Sequence, residues 1–214
     1  MKNHFVLFDL DGTITDSSEG IINSIRYALK KMGKEEHDQD RLRSFVGPSL
    51  KHTFLTHYFP EGEEYKKAIS FYRTYYAEKG IYENKLYPGI KTVLDTIYEN
   101  GGKIALATAK PTYFAKIILR YFNIMEKFEV VVGSHLSGSR TCKKEIIYEV
   151  LDQFGCPNSN HIYMIGDREN DIIGGKHHEL ITIGAEYGYG VSGELNSVQP
   201  DYLVNSEEEI LNCL

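Results

Sequence analysis

Cysteine is scarce in this chain. The three present, Cys142, Cys156 and Cys213, are odd in number, and their spacing fits neither a zinc site nor a redox pair. Reduced thiols in a cytoplasmic protein are therefore expected. Long apolar runs are also missing, so no segment is expected to span a bilayer. The first apolar segment runs into Asp9 and Asp11 too early for a secretory signal peptide. The expected setting is thus the cytoplasm, away from the membrane. A surplus of positive charge is absent as well: 24 Lys and Arg face 30 Asp and Glu, for a net charge of −6. Non-specific nucleic-acid binding depends on cations that neutralise phosphates, so it is not expected here. A small anionic substrate needs only a few local cations and stays allowed.

What is present reads as an ordinary globular protein. The 214 residues suit one domain, or a core with a modest insert. Short continuous apolar runs lie at residues 5–8, 104–107, 128–132, 162–165 and 180–183, with a weaker one at 202–204. Such runs read as strands buried on both faces. Between them sit segments with helical spacing. One carries Ile90, Val93, Leu94 and Ile97 between Pro88 and the pair Gly101-Gly102; another carries Ile146, Ile147, Val150, Leu151 and Phe154 and stops at Gly155. The alternation predicts an α/β fold, a Rossmann-like parallel sheet with helices on both faces.

The stretch 17–84 breaks this rhythm and reads as helical throughout. Asp16 and Glu19 have capping-box spacing, followed by an apolar stripe of Ile21, Ile22, Ile25, Ala28, Leu29 and Met32 that ends at Gly33. A second helix is expected over 63–79, with Tyr65, Ala68, Ile69, Tyr72, Tyr75 and Tyr76 on a broad face. The expected division is a core of residues 1–16 and 85–214, and an inserted all-helical cap of residues 17–84.

Four positions carry chemistry. Asp9-Leu10-Asp11-Gly12-Thr13 follows the first strand, and two carboxylates leaving a buried strand are costly unless something uses them. A hard cation with oxygen ligands would offset their repulsion, although the same acids could simply cap a turn. Thr108 ends the second core strand, where a hydroxyl and free N–H groups could hold a phosphoryl oxygen or merely start a helix. Lys143 precedes or opens the helix after the third, and a surface lysine is its plain alternative. Gly166-Asp167-Arg168-Glu169-Asn170-Asp171 follows the fourth. Each is ordinary alone. Together they fall at the carboxyl ends of the strands, where open α/β sheets bind ligands. Carboxylates, a hydroxyl and a lysine are the parts phosphoryl transfer needs.

These segments resemble the four motifs of the haloacid dehalogenase superfamily, over nearly the whole chain and in the expected order. The likeness is greatest to its phosphoglycolate phosphatase-like branch with a helical cap, and the fragment Phe45-Val46-Gly47-Pro48-Ser49-Leu50 is similar to that branch too. Dehalogenase members lack the second acid, so Asp11 implies phosphatase chemistry. Ala109 stands where relatives often have Asn or Ser. The pair Lys143-Lys144 offers two candidates for the third motif, and Lys143 is chosen because the residues after it align better with a helix start.

The resemblance implies Asp9 as nucleophile and Asp11 as general acid and base. It implies Mg2+ held by Asp9, the main-chain carbonyl of Asp11, and Asp167, with Asp171 positioning Lys143 or a metal-bound water. Gly12, Thr13, Thr108, Ala109 and Lys143 would contact the phosphoryl group. Arg43, Ser49 and Lys51 are candidate leaving-group contacts in the cap, while the neighbours His177 and His178 do not share a helix face and make a poor metal site. The implied activity is a phosphatase acting on a small phosphorylated metabolite such as phosphoglycolate. Pyrophosphatase, 5'-nucleotidase and sugar phosphomutase are alternatives on the same fold, and a non-catalytic regulatory protein is the remaining one. A monomer or a homodimer is expected.

Overall fold

The computed structural model describes residues 4–47, 50–137, 139–155 and 161–214. In chain order the elements begin with β1 (Phe5–Phe8), β2 (Thr15–Asp16), α1 (Ser18–Lys31), α2 (Gln39–Ser44), α3 (Leu50–His57) and α4 (Glu63–Tyr75). Then come β3 (Lys85–Leu86), α5 (Ile90–Glu99), β4 (Lys103–Pro111), α6 (Thr112–Tyr121), β5 (Phe128–Ser134) and α7 (Lys143–Gln153). The chain ends with β6 (Ile162–Gly166), α8 (Glu169–His177), β7 (Ile181–Ala185), α9 (Glu194–Val198) and β8 (Tyr202–Val204). By internal contacts it divides into one unit of Met1–Asp16 with Leu86–Leu214, and a second of Ser17–Lys85.

The first unit is an α/β core. Its six strands run in the order β5-β4-β1-β6-β7-β8, and every pairing is parallel. The apolar runs explain the order: β1, β4 and β6 lie centrally, and their side chains on both faces must be covered. Leu7, Ala105, Ala107, Val130, Val132 and Met164 pack with Ile146, Ile147 and Val150 of α7. The alternate residues Val6, Phe8, Ile104 and Leu106 are also fully buried, as are Ile90, Val93, Leu94 and Ile97 of α5, which packs on β4. This is a Rossmann-like sheet with an inserted helical segment.

The second unit is built from α1 to α4. Ile25, Ala28 and Leu29 pack with Leu42, Phe45, Phe54, Phe59 and Ala68, so the stripe read from the sequence is its core. Helix α1 starts one residue later than a capping box on Asp16 would place it. Ser17 is the residue before α1 and makes no side-chain cap bond. The Asp16 carboxylate accepts the Tyr189 hydroxyl at 2.9 Å, and Glu19 pairs with Lys85 at 3.6 Å. The helix expected over 63–79 is α4 followed by a π-helical turn, Tyr76–Gly80. Gly80 and Gly20 lie back to back there; a Cβ on either would strike the other's backbone, so the close approach of α1 requires both.

Among the described residues no helix is long and apolar enough to cross a membrane. Cys142 and Cys213 are free thiols, while Cys156 lies outside the described residues.

Candidate active site

The site grows from the end of β1. The Asp9 N–H donates to the Ile165 carbonyl at 2.9 Å, which extends the β1–β6 ladder by one residue and sets Asp9 beside Gly166-Asp167. The chain then turns tightly, with the Leu10 carbonyl accepting from Ile14 and Thr15, both at 2.9 Å. Gly12 makes the turn possible. Its φ is +88°, and a Cβ there would collide with the Asp167 carboxylate.

Four ionisable side chains converge at this point. Lys143, the first residue of α7, donates from Nζ to the Ala107 carbonyl at 2.9 Å. The same nitrogen lies 3.1 Å from Asp9 Oδ1 and 2.7 Å from Asp171 Oδ1. Burial pulls the Lys143 ammonium toward its neutral form, but Asp171 and Asp9 more than offset this and the net shift is upward. Burial pushes the Asp171 carboxyl up to about 6 against the opposing pull of Lys143. Asp167 is completely buried. Burial drives its carboxyl well above the usual range, Asp171 and Asp9 add to the effect, and donors from Tyr189 and Thr13 oppose it. Those donors are the Tyr189 N–H at 2.8 Å and the Thr13 hydroxyl at 3.1 Å.

The arrangement fits a divalent cation. One carboxylate oxygen each from Asp9, Asp167 and Asp171 lies within 4.8 Å of the others. Three acids and Lys143 sum to two negative charges when all are ionised. Asp9 Oδ1 and Asp171 Oδ1 are buried and share the single ammonium of Lys143, which also donates to the Ala107 carbonyl. Buried oxygen donors with surplus negative charge are the ligand set that Mg2+ accepts.

The remaining expected residues are placed as follows. Thr108 is buried near the end of β4, and its Oγ1 accepts the Lys110 N–H at 3.2 Å. The strand does not stop at Thr108; it continues to Pro111 after a slip in register against β5. Ala109 is exposed. Asp11 does not join the acid cluster; both its oxygens face Lys110 Nζ, at 2.7 and 3.0 Å. Lys144 is only half-buried, and its carbonyl meets His178 Nε2 at 2.8 Å. His177 and His178 touch only edge to face. Arg43 and Lys51 are exposed on the helical unit, and Ser49 lies outside the described residues.

Two features escaped the sequence reading. Lys110 lies two residues after Thr108, but nothing local ties it to Asp11, 99 residues away. The loop after β7 is the other. The Tyr187 hydroxyl donates to the Thr13 carbonyl at 2.9 Å and Tyr189 reaches both Asp167 and Asp16, so this loop clamps the turn that follows Asp9.

Known proteins are similar to this chain in sequence and in fold. The haloacid dehalogenase-like hydrolase family model matches residues 6–185. A Pseudomonas aeruginosa protein named 5'-nucleotidase is 39% identical over 92% of this chain and 89% of its own. An Aquifex aeolicus protein named phosphoglycolate phosphatase is 28% identical over 98% of this chain and 95% of its own. A Clostridium difficile crystal structure superposes with a TM-score of 0.92 at 44% identity, covering 100% of this chain and 99% of its own. A match across four-fifths of the sequence makes the conclusion firm: the chain belongs to the haloacid dehalogenase-like hydrolase family.

Proposed function

We propose that this hydrolase is a Mg2+-dependent phosphatase that cleaves a small phosphomonoester through an aspartyl-phosphate on Asp9. The observation behind the reading is the meeting of Asp9, Lys143, Asp167 and Asp171 in one buried cluster at the strand ends. Asp9 attacks phosphorus as the bond to the leaving oxygen breaks on the opposite side. Asp11 gives a proton to that oxygen, then takes one from the water that attacks the phosphorus and frees Asp9. Lys143 and Thr108 stabilise charge on the transferring oxygens. Ala109 has no polar side chain and offers only its main-chain N–H, whereas the expected contacts from Gly12 and Thr13 do not hold for their N–H groups, which donate within the turn to the Thr15 and Leu10 carbonyls at 2.8 and 3.3 Å. Asp171 keeps Lys143 aimed. Asp9, Asp167 and the Asp11 carbonyl would hold Mg2+, whose charge supplies electrostatic stabilisation of the phosphoryl oxygens when bound.

Among substrates, nucleoside 5'-monophosphates come first and phosphoglycolate second. The relative named 5'-nucleotidase is 39% identical, against 28% for the one named phosphoglycolate phosphatase. The test is phosphate release across a panel that also includes pyrophosphate and sugar phosphates, with and without Mg2+. Release that needs Mg2+ and is lost in Asp9→Asn supports the reading. Equal release from wild type and Asp9→Asn would overturn it.

A further inference from the structure

Asp11 has a neighbour that this mechanism leaves idle. Lys110 places Nζ 2.7 Å from one Asp11 oxygen and 3.0 Å from the other, with a side chain only 7% exposed. The delivery of that side chain is itself fixed. The Lys110 N–H is bonded to Thr108 Oγ1, and the strand slips register between Thr108 and Pro111, which redirects the residues in between.

A carboxylate at a turn can rotate among several staggered positions. Contact of both oxygens with one buried ammonium selects a single orientation. Orientation matters for an acid–base group, because its proton must lie within hydrogen-bond reach of the leaving oxygen. A displacement of about 1 Å at such a site can cost about 100-fold in rate. The ammonium in turn needs a partner, since a buried unpaired charge is costly.

We infer that Lys110 is a positioning residue for phosphoryl transfer, acting through Asp11 by fixing the direction in which its carboxylate points. The inference rests on the acid–base role proposed above for Asp11.

Two simple esters separate this from a direct or purely structural role. Phenyl phosphate has a leaving group that needs a proton, whereas p-nitrophenyl phosphate has one that departs largely without it. The measurement is kcat/KM on both with saturating Mg2+, for wild type, Lys110→Met, Lys110→Arg, Asp11→Asn and the Lys110→Met/Asp11→Asn double variant.

Lys110→Met is expected to lose about 10- to 100-fold on phenyl phosphate and clearly less on p-nitrophenyl phosphate, following the pattern of Asp11→Asn. Lys110→Arg keeps the cation and recovers most of the loss. In the Asp11→Asn background, Lys110→Met costs less than about threefold, because the group it aims is gone. Equal losses on the two esters, or the same factor with and without the Asp11 carboxylate, would overturn the inference while leaving the phosphatase reading intact. A wild-type chain inactive on both esters would overturn both.

Discussion

The two units of this chain bury different things. The core buries Asp9, Lys143, Asp167, Asp171 and Glu207. Among the described residues the helical unit buries no charged side chain; its buried polar groups are Ser17, Ser24, Thr53 and Asn84. Its ion pairs lie outside, as in Arg43–Asp40, whose side chains are 77% and 93% exposed. The Lys143–Asp171 pair of the core is 6% and 1% exposed. Exposed pairs contribute little to stability. Buried ones carry a desolvation cost that can exceed their attraction. A fold accepts that cost where a function uses the charge, so one unit is shaped by chemistry and the other by packing.

The sharpest way to break this contrast is Asp9→Asn. Loss of the nucleophile is expected to lower kcat at least about 10⁴-fold, equivalent to about 5 kcal/mol of barrier. The melting temperature should hold or rise, because Asp9 adds to the repulsion felt by Asp167 and Asp171. A variant that kept activity within tenfold, or melted far lower, would show that Asp9 serves the fold and not the reaction.

Phe54→Ala makes the opposite cut. Phe54 is fully buried among Leu42, Phe59 and Ala68, and its truncation should cost about 3–5 kcal/mol. Denaturant melts followed by near-ultraviolet circular dichroism would register the loss in the tyrosine-rich helical unit. The response of the core to Mg2+ should survive. Its disappearance would mean that the two units do not separate energetically.

That response is the third test. A cation bound only by the folded state, at 100 times its Kd, stabilises by about 2.7 kcal/mol. For a chain of this length the melting temperature should rise by about 5–10 °C. Asp167→Asn should abolish the rise, and Ca2+ should reproduce part of it. An unchanged rise in Asp167→Asn would move the binding site away from the cluster.

The same division between local and distant explains what could be read from the sequence. The strands were visible because continuous apolar runs are a local signature, and α5 was visible because Pro88 and Gly101 punctuate it. Asp9, Lys143 and Asp167 could be named because each follows a strand in a parallel sheet, whereas Thr108 was read as a strand end and β4 runs on past it to Pro111. Partner choice was not visible. Asp16 and Glu19 had the spacing of a capping box, but nothing near them announces that Tyr189, 173 residues away, donates to the Asp16 carboxylate. Lys110 gave no signal of its own, since its pairing with Asp11 depends on β1 and β4 lying side by side. The π-helical turn at the end of α4, where Gly80 meets Gly20, is likewise recorded by no periodicity.

The contrast between the units narrows, finally, to the strand ends rather than the whole core, and Asp201 tests that. It lies just before β8, and one carboxylate oxygen accepts both the Thr182 N–H at 2.8 Å and the Thr182 hydroxyl at 2.7 Å. Its modest burial raises the carboxyl, but these donors outweigh burial and hold it below its ordinary 3.8. A carboxyl with a depressed folded value adds stability above its unfolded value, and the contribution fades as pH falls through the folded one. Asp201→Asn should therefore cost about 0.5–1 kcal/mol at neutral pH, a figure kept small by solvent screening at this exposed residue. The gap to wild type should close as pH falls below about 4, the ordinary aspartate value. Activity with Mg2+ should not change. A loss of activity alongside the lost stability would place functional charge at the sheet edge as well, and the line drawn between chemistry and packing would have to move.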